Sequence, residues 1–135
     1  MVKQLEIKPS YSCNNDCIFC LYKEKLSNIG YCDLIRALKL YKKKYNPEIV
    51  EFSGGEPTVY YKFDKLLREI LSLKYKYLVI HTNARKFSNI SFLNNLPKSN
   101  YYFFFFFFCK NPNIHNKMVG NTSAFKQTIK VIENL

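Results

Sequence analysis

Three of the chain's five cysteines, Cys13, Cys17 and Cys20, fall within eight positions in a CxxxCxxC spacing. One short loop with that spacing can wrap three thiolates around three corners of an iron–sulfur cubane and leave the fourth iron without a protein ligand. An iron with an open position binds a substrate or cofactor, whereas a cluster held by four cysteines is better suited to passing electrons. On the residues alone a second reading stays open: a zinc site completed by Cys32, Cys109 or a histidine. Cys32 and Cys109 also read as small buried hydrophobes outside any site. Disulfides rank below metal use, because the cysteines crowd into one loop and the N-terminus carries no basic, apolar and small-residue series of a secretory signal.

These cysteines need a scaffold, and the flanking pattern supplies one. Leu5 and Ile7 alternate with Gln4, Glu6 and Lys8 as in a short half-buried strand that leads into the cysteine loop. From Asp33 the apolar spacing becomes helical, with Leu34, Leu38, Tyr41 and Tyr45 on one face; Asn46-Pro47 ends that helix, predicted over 33–45. Glu48 to Ser53 reads as a second strand, followed by the helical face Phe63, Leu66, Leu67, Ile70 and Leu71. Tyr77 to Thr82 is a third strand, and Phe87 to Leu96 a third helix closed by Pro97. The aromatic run Tyr101 to Phe108 predicts a buried parallel strand. Ser123 is placed to cap a last helix carrying Phe125, Ile129 and Ile132 on one face, with Val131 and Leu135 beside it.

Strand and helix alternate about four times, which predicts an α/β fold with a parallel sheet built of βα units in one domain over 1–135. In such sheets the functional loops leave the C-terminal ends of the strands. The unusual residues fall there: the cysteines, Ser53-Gly54-Gly55-Glu56-Pro57, and His81-Thr82-Asn83-Ala84. Twenty-one Lys and Arg against ten Asp and Glu give +11. The excess is mostly lysine scattered along the chain, so it reads as a solvated basic surface, and nucleic acid is not the expected partner. No apolar run of roughly 18 residues is present to span a bilayer, and the expected location is the cytoplasm.

The cysteine loop with an aromatic, Phe19, just before its last cysteine resembles the defining loop of the radical S-adenosylmethionine superfamily. A second signature follows in order: Ser53-Gly54-Gly55-Glu56-Pro57 is similar to the family's GGEP turn. The ending His81-Thr82-Asn83-Ala84 is similar to its TNG, with Ala84 where glycine is usual. Ile114-His115-Asn116-Lys117-Met118-Val119-Gly120 followed by Ser123-Ala124-Phe125 resembles the stretch read IHD, G and SF in many members. The resemblance spans nearly the whole chain.

It implies a [4Fe-4S] cluster on Cys13, Cys17 and Cys20 whose open iron chelates S-adenosylmethionine, the small-molecule cofactor. Reductive cleavage would then give methionine and a 5'-deoxyadenosyl radical that takes hydrogen from a substrate. Phe19, Ser53, Gly54, Gly55, Glu56, Thr82 and Asn83 are the implied cofactor-binding residues. Residues lacking Cβ at 54 and 55 would let backbone carbonyls approach the methionyl amino group, and Pro57 would fix the turn's exit. Glu56 is expected to position the cofactor, its alternative being stabilisation of the turn. His81 divides between packing and ligand contact, and His115 is expected to order a loop. A reductant such as flavodoxin or ferredoxin and a peptide or protein substrate are the implied partners. The family core is a partial barrel of six βα units, of which about four are present here, so the expectation is the N-terminal portion of a longer enzyme; a non-catalytic cluster-binding module is the alternative.

Overall fold

The computed structural model describes residues 3–22 and 28–135. Four strands, β1 (Gln4–Ile7), β2 (Ile49–Phe52), β3 (Tyr77–His81) and β4 (Tyr101–Phe104), form one parallel sheet in sequence order. Parallel neighbours require a crossover between each pair. These are provided by α1 (Tyr31–Tyr45), α2 (Phe63–Ser72) and the short α3 (Ile90–Asn94), and α4 (Pro112–Val119) and α5 (Ala124–Asn134) follow β4. The α/β fold expected from the alternation is therefore present.

Register aligns Ile7 with Phe52, Phe52 with Ile80 and Ile80 with Phe103. Side chains alternate across a strand, so these four share one face, and Val50 and Leu78 join them there. The core lies on that side: Val50, Phe52 and Ile80 pack with Leu66, Leu67 and Ile70 of α2, with Phe87 and with Val131 of α5, all fully buried. Burial of each such aliphatic side chain contributes roughly 1.5–3 kcal/mol. The opposite face carries Glu6, Glu51, His81, Tyr102 and Phe104.

Several elements depart from the sequence pattern. α1 begins two residues early and buries Tyr31, Leu34, Ile35 and Leu38. Tyr41 and Tyr45, expected on that face, stack on each other in solvent. The helix expected over 87–96 breaks in two, a 3-10 turn at Arg85–Ser88 and then α3. The break is at Asn89, whose side chain accepts from the Ser91 and Phe92 amides and so caps a new helix rather than continuing the old one. β4 stops at Phe104, where the Thr82 amide makes its ladder bond to the Phe104 carbonyl at 3.0 Å. Beyond it Phe105 packs partly on the core, whereas Phe106, 60 % exposed, and then Phe107 and Phe108 are open rather than buried. Among the described residues β4 has one ladder partner, β3, and is the edge of the sheet. In α5 the buried positions are Ala124, Thr128 and Val131, and Ile132 faces out; Ser123 precedes the helix without a side-chain cap.

Candidate functional site

Aligned register brings the loops after β1, β2 and β3 to one edge, and hydrogen bonds then zip two of them together. The Ser53 amide donates to the Ile7 carbonyl at 3.0 Å, Gly55 to Ser10 at 2.9 Å and Glu56 to Ser12 at 2.8 Å. This contact explains the paired glycines. A Cβ on Gly54, at φ +114°, would stand 2.5 Å from the Ser10 carbonyl oxygen, and one on Gly55 would stand 2.3 Å from that of Ser12. The space without Cβ atoms is taken by the backbone from Ser10 to Ser12 that leads into the cysteines.

Glu56 ties the next loop in. It is 1 % exposed, and its Oε1 accepts from the Thr58 amide (3.1 Å), the Thr58 hydroxyl (2.6 Å) and the Thr82 hydroxyl (2.6 Å). Its Oε2 accepts from the Asn83 amide at 2.6 Å. A buried carboxylate needs such partners, and with two lone pairs on each oxygen Oε2 keeps one acceptor position. Glu56 thus staples the turn after β2 to the end of β3.

Asn83 extends the chain of contacts to the cysteines. Its Nδ2 donates to Asn14 Oδ1 at 2.6 Å and lies 3.9 Å from Cys13 Sγ. Cys13 also receives the Asn15 amide at 3.4 Å, and Cys20 receives that of Tyr22 at 3.4 Å. Cys13 opens onto the cavity, yet enough protein packs around it that desolvation pushes its thiol above the usual range, outweighing the Asn15 amide. Cys17 is raised by burial first and by the neighbouring Cys13 and Cys20.

Two further supports hold the loop, and of these the sequence singles out only the second, the stretch from Ile114 to Gly120. Arg85, just past β3, donates from Nη1 to the Asn14 carbonyl and to Asn15 Oδ1 (2.8 Å), and from Nε to Gln127 Oε1 of α5 (2.5 Å). The available signal was its type: it is one of three arginines in a chain whose positive charge is otherwise lysine, and a rigid fork of donors is what separates the two. The second support is the end of α4. The Asp16 amide donates to the Val119 carbonyl (3.0 Å) and the Ile18 amide to that of Met118 (2.9 Å). Gly120 at φ +63° lies against the same loop, and a Cβ there would stand 2.2 Å from the Asp16 carbonyl oxygen. The stretch from Ile114 to Gly120 is thus a helix whose last turn grips the cysteine loop. His115 is 2 % exposed, packed by Phe107, Phe108 and Phe125, with Nδ1 unpartnered. Asn116 bridges α4 to α5 by donating to the Thr122 carbonyl and accepting from the Phe125 amide.

The result is a cavity of about 830 Å³ lined by all ten residues singled out from the sequence. Its polar wall holds Cys13, Cys17 and Cys20, the Ser53–Glu56 turn, and Thr82 and Asn83. Its apolar wall holds Phe104, Phe106, Phe108 and Phe19, and Phe19 packs on Phe108 at 4.8 Å. His81 also lines it, its ring tilted against Phe104 and its Nε2 3.4 Å from Glu51 Oε2. Cys32 and Cys109 lie outside this lining. Among the described residues no three His, Cys, Asp or Glu side chains sit close enough to share one metal ion.

Residues 7–135 match the family model described as the Radical SAM superfamily. No curated protein matches by sequence. Among solved structures, the crystal structure of Streptococcus suis SuiB bound to precursor peptide SuiA is 27 % identical with a TM-score of 0.76, covering 96 % of this chain and 29 % of that one. Another crystal structure of SuiB is 26 % identical with a TM-score of 0.72, covering 98 % and 31 %. SuiB bound to S-adenosylmethionine is similar in fold at 23 % identity and a TM-score of 0.71, covering 98 % and 32 %. The chain therefore spans about a third of the length of the structures it matches.

Proposed function

The chain belongs to the radical SAM superfamily, and from that membership we propose that Cys13, Cys17 and Cys20 hold a [4Fe-4S] cluster with one iron left for S-adenosylmethionine, in a radical SAM enzyme or its N-terminal part. The observation that carries this reading is the convergence of the three thiols, the Gly54–Gly55–Glu56 turn and Thr82–Asn83 on one cavity. The donor set fits: three soft thiols for iron, and beside them a buried carboxylate with an acceptor position left for an ammonium group.

When bound, a reduced cluster supplies the electron that splits a carbon–sulfur bond of S-adenosylmethionine and so starts hydrogen abstraction from a substrate. The chain's own residues do the rest. The thiols give up their protons on taking iron, and with two of them raised by burial, loading is favoured by alkaline conditions. Glu56 holds the turn after β2 against the end of β3 and orients a cationic group through Oε2. Phe19, Phe104, Phe106 and Phe108 give the cavity an apolar wall from which a seated cofactor would displace water, which protects reactive species.

Similarity to SuiB, which has been crystallised with a precursor peptide, supports a peptide or protein substrate, and a flavodoxin or ferredoxin is the proposed reductant. The chain operates in the cytoplasm on this reading; no helix among the described residues is long and apolar enough to cross a membrane. The test is anaerobic reconstitution followed by dithionite and S-adenosylmethionine. The expected product is 5'-deoxyadenosine, and its absence from a cluster-loaded protein overturns the enzymatic reading. A second reading, a cluster-binding module without turnover, draws on the phenylalanines of the apolar wall, which offer no polar contact to a cofactor. It predicts an electron paramagnetic resonance spectrum of the reduced protein unchanged by S-adenosylmethionine.

A further inference from the structure

The cysteine loop stands between two clefts. One is the cavity described above; the other, of about 400 Å³, lies behind the loop and is lined by Asn14, Arg85, Lys86, Asn89 and Gln127 among others. Arg85 is the one cationic side chain hydrogen-bonded to the loop from that side among the described residues. Its three acceptors belong to three positions, Asn14 and Asn15 in the loop and Gln127 on α5. Its own backbone amide donates to Asn83 Oδ1 at 3.1 Å, and Asn83 in turn reaches Asn14 and Cys13 Sγ. The guanidinium is half-buried, and desolvation lowers its pKa from the ordinary value without removing its charge.

Resting on the cluster reading above, we propose that Arg85 is a positioning residue that holds the Cys13–Cys17 segment in its cluster-binding shape from behind and places a fixed positive charge beside the cluster. Two consequences follow from the chemistry. A planar fork ties the loop to α5 by reaching acceptors on both at once, which the single ammonium of lysine does not. A partly desolvated cation near the cluster favours its more negative, reduced form, because Coulomb interaction strengthens as water is excluded.

Arg85→Met and Arg85→Lys separate the two effects, with Phe87→Leu as a neighbouring core variant that touches no loop residue through hydrogen bonds. Iron release to a chelator, the midpoint potential of the bound cluster, and amide exchange across residues 13–20 of the metal-free protein are the readouts. Expected in Arg85→Met is iron release about tenfold faster, faster loop exchange, and a potential lowered by a tenfold change in the reduced-to-oxidised ratio, about 59 mV for one electron. Arg85→Lys is expected to recover the potential but not the slow release. If a cluster-bearing wild type and Arg85→Met release iron equally and share one potential, this inference is overturned and the proposed function is untouched. The inference is overturned also if the losses in Arg85→Met match those of Phe87→Leu at equal loss of thermal stability, which is the signature of a purely structural role. A wild type that assembles no cluster overturns both readings.

Discussion

Glu56 and His115 are both buried, yet they make opposite demands on the fold. Glu56 concentrates four donors on one carboxylate, so Glu56→Gln turns one acceptor into a donor facing donors. The expected cost is about 2–3 kcal/mol in denaturant unfolding, larger than a surface change and accompanied by loosening of the β2 and β3 exits. His115 instead sits among Phe107, Phe108 and Phe125, and burial holds its pKa below 6.5. The folded protein then binds fewer protons than the unfolded chain as pH falls through that value, so His115's contribution is intact above pH 6.5 and is lost below it. Thermal melts from pH 7.5 to 5 are expected to fall in the wild type and to run flatter over that window in His115→Phe. The identity of the cavity residues was legible because chemistry-bearing types are rare and closely spaced. Their partners were not, since Arg85, Asn14 and Gln127 meet only after residues more than forty apart have folded together.

At the scale of elements, the cysteine loop is a segment without regular structure that borrows rigidity from three neighbours: the turn after β2, the turn after β3 and the last turn of α4. Gly120→Ala tests the last of these. Adopting φ +63° costs a residue with a Cβ about 1–2 kcal/mol, and the Asp16 carbonyl must move as well. An overall loss of about 2 kcal/mol or more is expected by chemical denaturation, with amide exchange at Asp16 and Ile18 accelerated before that of the β2 and β3 core. Periodicity placed β1 to β3, α1 and α2 to within two residues, because each buries one continuous face. It failed where local capping competes, as at Asn89, and at α4, whose eight residues are too few to show a helical period and whose Asn111 cap and Pro112 were the available clues.

At the scale of the whole molecule, the described residues form a half-covered sheet. Helices bury one face, and the other ends in an edge strand with Tyr102, Phe104 and Phe106 exposed. Unpaired backbone and aromatic side chains on one edge template pairing with other chains, so concentration-dependent light scattering is expected. Phe106→Lys should reduce it markedly while leaving unfolding free energy within about 0.5 kcal/mol. Composition read as a buried strand because eight consecutive apolar residues normally need cover on both faces; the sheet in hand covers one.

The grip of α4 on the cysteine loop also sets a timetable. Ile18 is held by Met118, so the thiols beside it wait for residues made about a hundred positions later. At 5–20 residues per second that interval is about 5–20 s, during which the nascent chain offers reactive sulfur without its finished seat. Metal delivery to this protein is thereby tied to the synthesis of α4, and a cell that loads it well must either shield those thiols or arrive late.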